Sequence, residues 1–272
     1  MIPLGKSSSW QPAAGKSLIF LVVGLLLLGW LLNTPAGLLG KADAVGYAVC
    51  HRIDARSFHL GARQLPLCSR CTGMFLGALL GLAFQYFTAG RRAGMPHWGV
   101  WLVLGVFVAA FAVDGANSFL HLFPGAPELY ETTNLIRLLT GTGMGLAIAL
   151  VIYPTFNQTI WRRMDPRPAL QGFRALGALV LLALLMDWMI WIENPLLLYV
   201  FGLLSALGVV SLLMMIYAVF WLMLLKTDNQ IERLSQMAVP LALGFGTAIV
   251  QIALFNLVRF LMTGTWDGFQ LG

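Results

Sequence analysis

Three cysteines are all that this 272-residue chain contains, and they fall in one stretch, CHRIDARSFHLGARQLPLCSRCTG, residues 50–73. The same stretch holds two of the four histidines, His51 and His59, and four arginines, Arg52, Arg56, Arg63 and Arg70. Three chemistries fit such a set. A thiophilic metal is the first: Cys68 and Cys71, with two residues between them, can place two thiolates on one ion, and Cys50 with His51 completes a tetrahedral zinc site. Neighbouring ligands on one ion are awkward, so His59 or His121 is an alternative fourth donor. Gly61 and Pro66 would turn the intervening segment back on itself. Thiol–disulfide exchange is the second. Cys71, expected at a helix N-terminus beside Arg70, should have a lowered thiol pKa, and an odd third cysteine suits a relay to a membrane-dissolved oxidant. The third is a plain structural disulfide with a spare thiol. Covalent haem attachment is excluded because Thr72, not His, follows Cys71.

What must position these residues is a membrane scaffold. The chain is 59% hydrophobic and 10% charged, with mean hydropathy +0.81, where a soluble domain carries about 25% charged residues. Apolar runs near 17–33, 72–89, 98–120, 138–156, 172–192, 195–225 and 237–263 are long enough to cross a bilayer, which needs roughly 20 residues each. The fold expected is all-α: a polytopic bundle of about seven spans with a Cys/His-containing extracytoplasmic loop, in a single integral membrane domain over 1–272. The first run, SLIFLVVGLLLLGWLLNTPAG, is long for a signal core and lacks an Ala-x-Ala cleavage site, so it is read as a retained helix. A net charge of +6 comes from basic residues strung along loops, without a basic face interleaved with aromatics, which argues against a nucleic-acid partner. It reads better as topology. With the N-terminus cytoplasmic, that side receives Lys6, Lys16, Arg91, Arg92, Arg162, Arg163, Arg167, Arg174, Lys226 and Arg233. The other side receives Glu128, Glu131 and Glu193. The four arginines of the cysteine stretch break this pattern, which implies that they have partners.

The same orientation brings most intramembrane polar residues to one depth. Asp114, Asn117 and His121 end the third span, Asn134 and Arg137 begin the fourth, Asp187 and Glu193 end the fifth, and Asn256 and Arg259 end the seventh. Ionisable groups in spans usually face the bundle interior and pair, or mark a site. The loop ANSFLHLFPGAPELYETTNLI returns the chain to the same face, so Asp114 and Arg137 are expected to meet. Gly73, Gly77 and Gly81, with Gly141 and Gly145, have the spacing that lets helix backbones approach closely in lipid. They predict that the second and fourth spans pack tightly within one bundle.

At these residues the chain resembles an uncharacterised prokaryotic membrane-protein family, the domain of unknown function 2085. The family's first block, Cys-His-x4-Arg-Ser-Phe then Pro-x-Cys-x-Arg-Cys-Thr-Gly, is matched by Cys50, His51, Arg56, Ser57 and Phe58, then by Pro66, Cys68, Arg70, Cys71, Thr72 and Gly73. Its second block is matched by Asp114, Gly115, Glu131, Thr133, Asn134, Arg137, Thr140 and Gly141. Asn117 and Ser118 stand where family members often carry Gln. The resemblance covers about 45–150, leaves 160–272 as additional transmembrane helices, and implies that the two blocks form one functional unit. It implies no activity. The reading is therefore an inner-membrane protein of a prokaryote, in contact with the lipid bilayer. Its extracytoplasmic thiolate/imidazole site would be formed by Cys50, His51, Cys68 and Cys71, with zinc as the cofactor. Arg56, Arg70, Asp114, Asn134 and Arg137 would flank that site as a substrate or structural cluster, with a lipid-phase substrate in reach. The alternatives are an accessory or scaffold subunit bound to other membrane-protein subunits, and a membrane thiol–disulfide oxidoreductase. Transport is weaker, since paired Gly/Pro-broken helices are not evident.

Overall fold

Among the described residues, eight α-helices, seven of them long and apolar enough to cross a membrane, make up the bundle. The structure is a computed structural model that describes residues 13–121, 123, 127 and 129–268. Lys6 and Glu128, used above to orient the chain, lie outside the described residues. The long helices are α1 (Ala13–Leu32), α3 (Ser69–Ala89), α4 (Trp98–Leu120), α5 (Asn134–Ile160), α6 (Gly172–Trp191), α7 (Pro195–Leu224) and α8 (Ala238–Thr263). They match the seven expected spans, with ends shifted by a few residues where polar side chains extend the helix. One example is Thr133, whose Oγ1 accepts from the Ile136 N–H and so caps α5 before Arg137.

The eighth, α2 (Gly37–Val49), lies between the first two expected spans, where the apolar runs predict no helix. Its 13 residues reach only about 20 Å, short of the roughly 30 Å hydrocarbon layer. It is nevertheless buried along Gly40, Ala42, Ala44, Val45, Gly46 and Tyr47, seated on α7 and α8. Two cations fix it through orphan carbonyls at helix ends. Lys41 donates to Leu31 O and, at 2.9 Å, to Thr34 O, closing the end of α1. Arg259 from α8 donates to Tyr47 O at 2.7 Å and Cys50 O at 2.6 Å, closing the end of α2. A positive charge at a helix C-terminus is favoured by the helix dipole and satisfies carbonyls that have no partner inside the helix.

The tightest seam joins α3 and α5, the second and fourth spans, as the glycine spacing predicts. A Cβ on Gly73 would sit 2.2 Å from Leu138 O, one on Gly141 2.1 Å from Arg70 O, and one on Gly145 2.1 Å from Met74 O. With no hydrophobic drive between helices in lipid, such backbone contact supplies the association energy. At one end of the bundle the starts of α3 and α5 meet α2 and the ends of α4 and α8. At the other, the expected linkers 91–97 and 157–172 pair instead: β3 (Arg92–Gly94) runs parallel to β4 (Asp165–Pro168). The remaining sheet is a hairpin at the first end, β1 (His59–Leu60) against β2 (Arg63–Gln64), with His59 opposite Gln64. Gly61 makes its turn at φ +64°, a conformation costly for residues with a Cβ.

Candidate metal centre

The three sulfurs converge. Cys50 follows α2 as its C-cap, Cys68 is the N-cap of α3, and Cys71 lies in the first turn of α3. Their Sγ atoms lie within 4.8 Å of one another and all three cysteines are free. Three features fix this. Gly46 lets α2 touch the incoming segment, since a Cβ there would fall 1.9 Å from Pro66 O. Leu65 and Leu67 are buried on either side of Pro66, which anchors the approach to Cys68. Arg52 adopts φ +53°, and the turn brings its N–H to Cys50 Sγ at 3.4 Å, where the Cys68 N–H also donates at 3.4 Å. Two backbone donors and the N-terminus of α3 thus face one sulfur.

That environment favours a thiolate at Cys50. Hydrogen bonds from the Cys68 and Cys71 thiols, opposed by burial, hold Cys50 well below the ordinary thiol range. The Cys68 thiol, donating to Cys50 and buried, is pushed up to about 12. The sequence singles out Cys71 as the activated sulfur; the geometry gives that place to Cys50, which receives hydrogen bonds from the other two thiols and from the backbone N–H groups of Arg52 and Cys68. His51 is set differently from the sulfurs. Its Nδ1 accepts from the Ile53 N–H at 3.2 Å, which leaves the proton of the neutral ring on Nε2, and its nitrogens are not part of the three-sulfur group. Burial, and then the charges of Arg56, Arg70 and Arg259 against that of Cys50, lower its pKa and keep the ring neutral. His59 is engaged elsewhere, with Nε2 2.9 Å from Asp54 Oδ1.

Beside the sulfurs lies the arginine group, and here the expected pairing is corrected. Asp114 does not pair with Arg137. Its carboxylate, 0% exposed, accepts from Arg70: Nε donates to Oδ2 at 3.0 Å and a terminal nitrogen donates to the same oxygen. Arg70 also donates to Asp114 O at 3.0 Å and Ser118 Oγ at 2.8 Å. Tyr130 OH at 3.0 Å and Thr140 Oγ1 at 3.2 Å complete the shell of Asp114. Arg70 wins because it stands on the first turn of α3, and the glycine seam then draws α3 and α5 together beside α4. Arg137 instead donates to Asn134 Oδ1 at 3.0 Å, and Asn134 Nδ2 reaches Ser57 O at 3.3 Å, tying α5 to the cysteine stretch.

The misplaced arginines do have partners, with one exception. Asp43 of α2 accepts from Arg52 at 3.1 Å and Arg63 at 2.5 Å. Arg56 and Arg137, 9% and 8% exposed, have no carboxylate partner among the described residues, and Arg137 Nε has no hydrogen bond at all. Burial, and then the charge of Arg70, push the Arg56 guanidinium below its ordinary value. Of the other polar residues assigned to this end, Asp187 accepts from Thr142 Oγ1 at 2.7 Å. Asn117 is used structurally, accepting from the Leu129 N–H at 2.8 Å and donating to Tyr130 O at 2.7 Å. Asp43 and Tyr130 carry no signal in the sequence reading, and Thr140 and Ser118 enter it only through the family's second block, without a partner. Asp43 sits in a helix too short to register as a span, and hydroxyl partners leave no charge signature in a sequence.

Residues 50–151 match the model of the family described as predicted membrane protein DUF2085, so the resemblance drawn from the two motif blocks holds over the segment that builds this site. The chain is 26% identical over 120 residues to an uncharacterized protein of Methanocaldococcus jannaschii, covering 44% of this chain and 71% of that one. It is 27% identical over 103 residues to an uncharacterized protein of Methanothermobacter thermautotrophicus, covering 38% and 83% respectively. No solved structure matches.

Proposed function

We propose that Cys50, Cys68 and Cys71 hold one zinc ion at the extracytoplasmic face of a prokaryotic inner membrane. A fourth coordination position would be left to water or to a substrate group arriving from the lipid phase. The observation that carries this reading is the meeting of three sulfurs within 4.8 Å. Zinc–sulfur bonds of about 2.3 Å in a tetrahedron need sulfurs about 3.8 Å apart, so small side-chain rotations suffice. Backbone N–H donors to Cys50 Sγ are of the kind that steady a metal-bound thiolate. Three protein ligands and one exchangeable position are the pattern of a catalytic rather than a closed structural site, and His51 stands next to it as a neutral proton carrier. Arg56 and Arg137 would take an anionic group of the substrate, since each is a buried cation without a carboxylate. The sidedness is supported by the paired state of Arg52, Arg63 and Arg70. Asp43 and Asp114 offset two of these three charges. At the opposite end Arg92, Arg162 and Arg167 are paired with Asp165 and Glu232, and Arg91, Arg163, Arg174, Lys226 and Arg233, with no carboxylate partner among the described residues, supply the positive excess that a cytoplasmic side carries.

Thiol–disulfide exchange is the second reading, favoured by the low pKa of Cys50 beside two further thiols. One measurement separates the two: metal content and free-thiol count on the same detergent-purified sample. The zinc reading expects close to one metal per chain, lost in Cys68→Ser and in Cys71→Ser, with thiols that alkylate only after chelation. Metal-free protein whose thiols appear only after reduction would replace it with the redox reading.

A further inference from the structure

Outside the sulfur site, two buried polar groups on different helices face a shared deficit. Asn256 of α8 is 4% exposed, and neither its Oδ1 nor its Nδ2 has a hydrogen-bond partner. Trp30, near the end of α1, is buried with Nε1 equally unpartnered. Both line one cavity of about 650 Å³ in the cleft between α1 and α8, whose other walls include Leu26, Ala253, Phe260 and Trp266. That volume is in the range of small-molecule sites, roughly 300–1,000 Å³.

An empty apolar cleft at the rim of a bundle would say little. Two residues of this one's wall carry three unpaired hydrogen-bonding atoms in surroundings where unpaired polar groups are costly. They also specify what is missing. Trp30 Nε1 and Asn256 Nδ2 are donors and need an acceptor oxygen, while Asn256 Oδ1 needs a donor. A bulk acyl chain offers neither. We infer that the cleft is a lipid-binding site for one membrane lipid whose polar group presents an acceptor oxygen next to a free hydroxyl, its chain lying along Leu26 and Ala253. The site adjoins the sulfur cluster but does not depend on a metal there. Trp30 belongs to the same apolar cluster as Cys50 and Cys68, and Arg259, three residues from Asn256, holds Cys50 O. A lipid seated here would brace the frame of the sulfur site.

The test is native mass spectrometry with lipid extraction of full-length protein purified in mild detergent, comparing wild type, Asn256→Leu and Trp30→Phe. Delipidated samples are then titrated with phosphatidylglycerol, which has head-group hydroxyls, and phosphatidylcholine, which has none. The expected result is one retained hydroxyl-bearing lipid per wild-type chain and thermal stabilisation by phosphatidylglycerol above that by phosphatidylcholine. Retention should fall about tenfold in Asn256→Leu, in line with the loss of two buried hydrogen bonds. Delipidated Asn256→Leu should melt no lower than delipidated wild type, because the substitution removes an unpaired amide. Lipid retained at bulk composition and equally by all three proteins would overturn the inference, as would equal response to the two lipids. A lower melting point for delipidated Asn256→Leu would also overturn it, because the amide would then serve packing.

Discussion

Removing one side of the Arg70–Asp114 pair should cost more than removing both. Asp114 is fully buried and receives four hydrogen bonds from side chains, two from Arg70 and one each from Tyr130 and Thr140. In Arg70→Met the carboxylate keeps only the two hydroxyls and stays inside the bundle. In Asp114→Leu the guanidinium, 14% exposed, keeps Ser118 Oγ and one backbone carbonyl. Breaking a buried pair on one side costs about 3–5 kcal/mol, while replacing both partners by apolar groups is often close to neutral. Each single substitution should therefore lower the melting temperature in detergent by roughly 6–20 °C, at about 2–4 °C per kcal/mol. The double substitution should recover a good part of the loss, giving a coupling energy of about 2 kcal/mol or more. Arg137→Gln serves as the control and should couple to Asp114→Leu by less than about 0.5 kcal/mol, because the two share no hydrogen bond. Thermal unfolding of the four proteins and the control pair decides this. Additive losses for Arg70 and Asp114, or strong coupling with Arg137 instead, would refute the assignment of Arg70 as the counter-ion.

Three more outcomes follow from the same geometry. Gly145→Val would put a Cβ 2.1 Å from Met74 O and force α3 and α5 apart. A loss of about 3 kcal/mol or more is expected in thermal unfolding, with release of folded protein into aggregates on expression. Arg259→Gln removes the guanidinium that closes α2, so stability should fall by about 1.5–3 kcal/mol, and Cys50 should alkylate faster than in wild type at equal metal loading. A membrane-impermeant thiol reagent applied to intact cells after metal stripping and reduction should label Cys68 and Cys71. Labelling only after the membrane is opened would reverse the sidedness.

The bundle was legible because membrane spans announce themselves by composition: seven apolar runs are seven helices, and Gly73, Gly77, Gly141 and Gly145 fell on one seam. The site was legible by residue type but less so by partnership. Cys50, Cys68 and Cys71 meet as their spacing implies, yet the activated sulfur is Cys50 rather than Cys71. That difference arises from which sulfur the other two thiols and the N–H groups of Arg52 and Cys68 donate to, which spacing along a chain does not encode. Asp114 was recognised as paired, but the choice between Arg70 and Arg137 is made by helix rotation, and both arginines lie within a turn of the same end. Linkers 91–97 and 157–172 hid a strand pair because Pro166 and Pro168 read as breakers, although an edge strand tolerates them.

The least legible element, α2, is also the one that connects everything else. Its 13 residues are too few for a span and too apolar for an ordinary loop. The sequence offers no cap at its end, because the cap is Arg259, 210 positions downstream of Val49. That distance matters for how the chain is built. The resemblance to a known family covers 50–151, which contains all three sulfurs and the Arg70–Asp114 pair but neither α2 nor α8. In this chain α8 reaches back to hold the carbonyls of Tyr47 and Cys50, and Asp43 of α2 pairs with both Arg52 and Arg63. The segment matched by the family therefore holds the three sulfurs, and the flanking helices supply their frame. Substitutions in α8 that touch no sulfur, Arg259 above all, should accordingly change thiol reactivity, whereas substitutions in the β3–β4 end should not. Alkylation rates of Cys50 in Arg259→Gln and in Arg167→Gln provide the comparison, and equal rates would dissolve the link between α8 and the site.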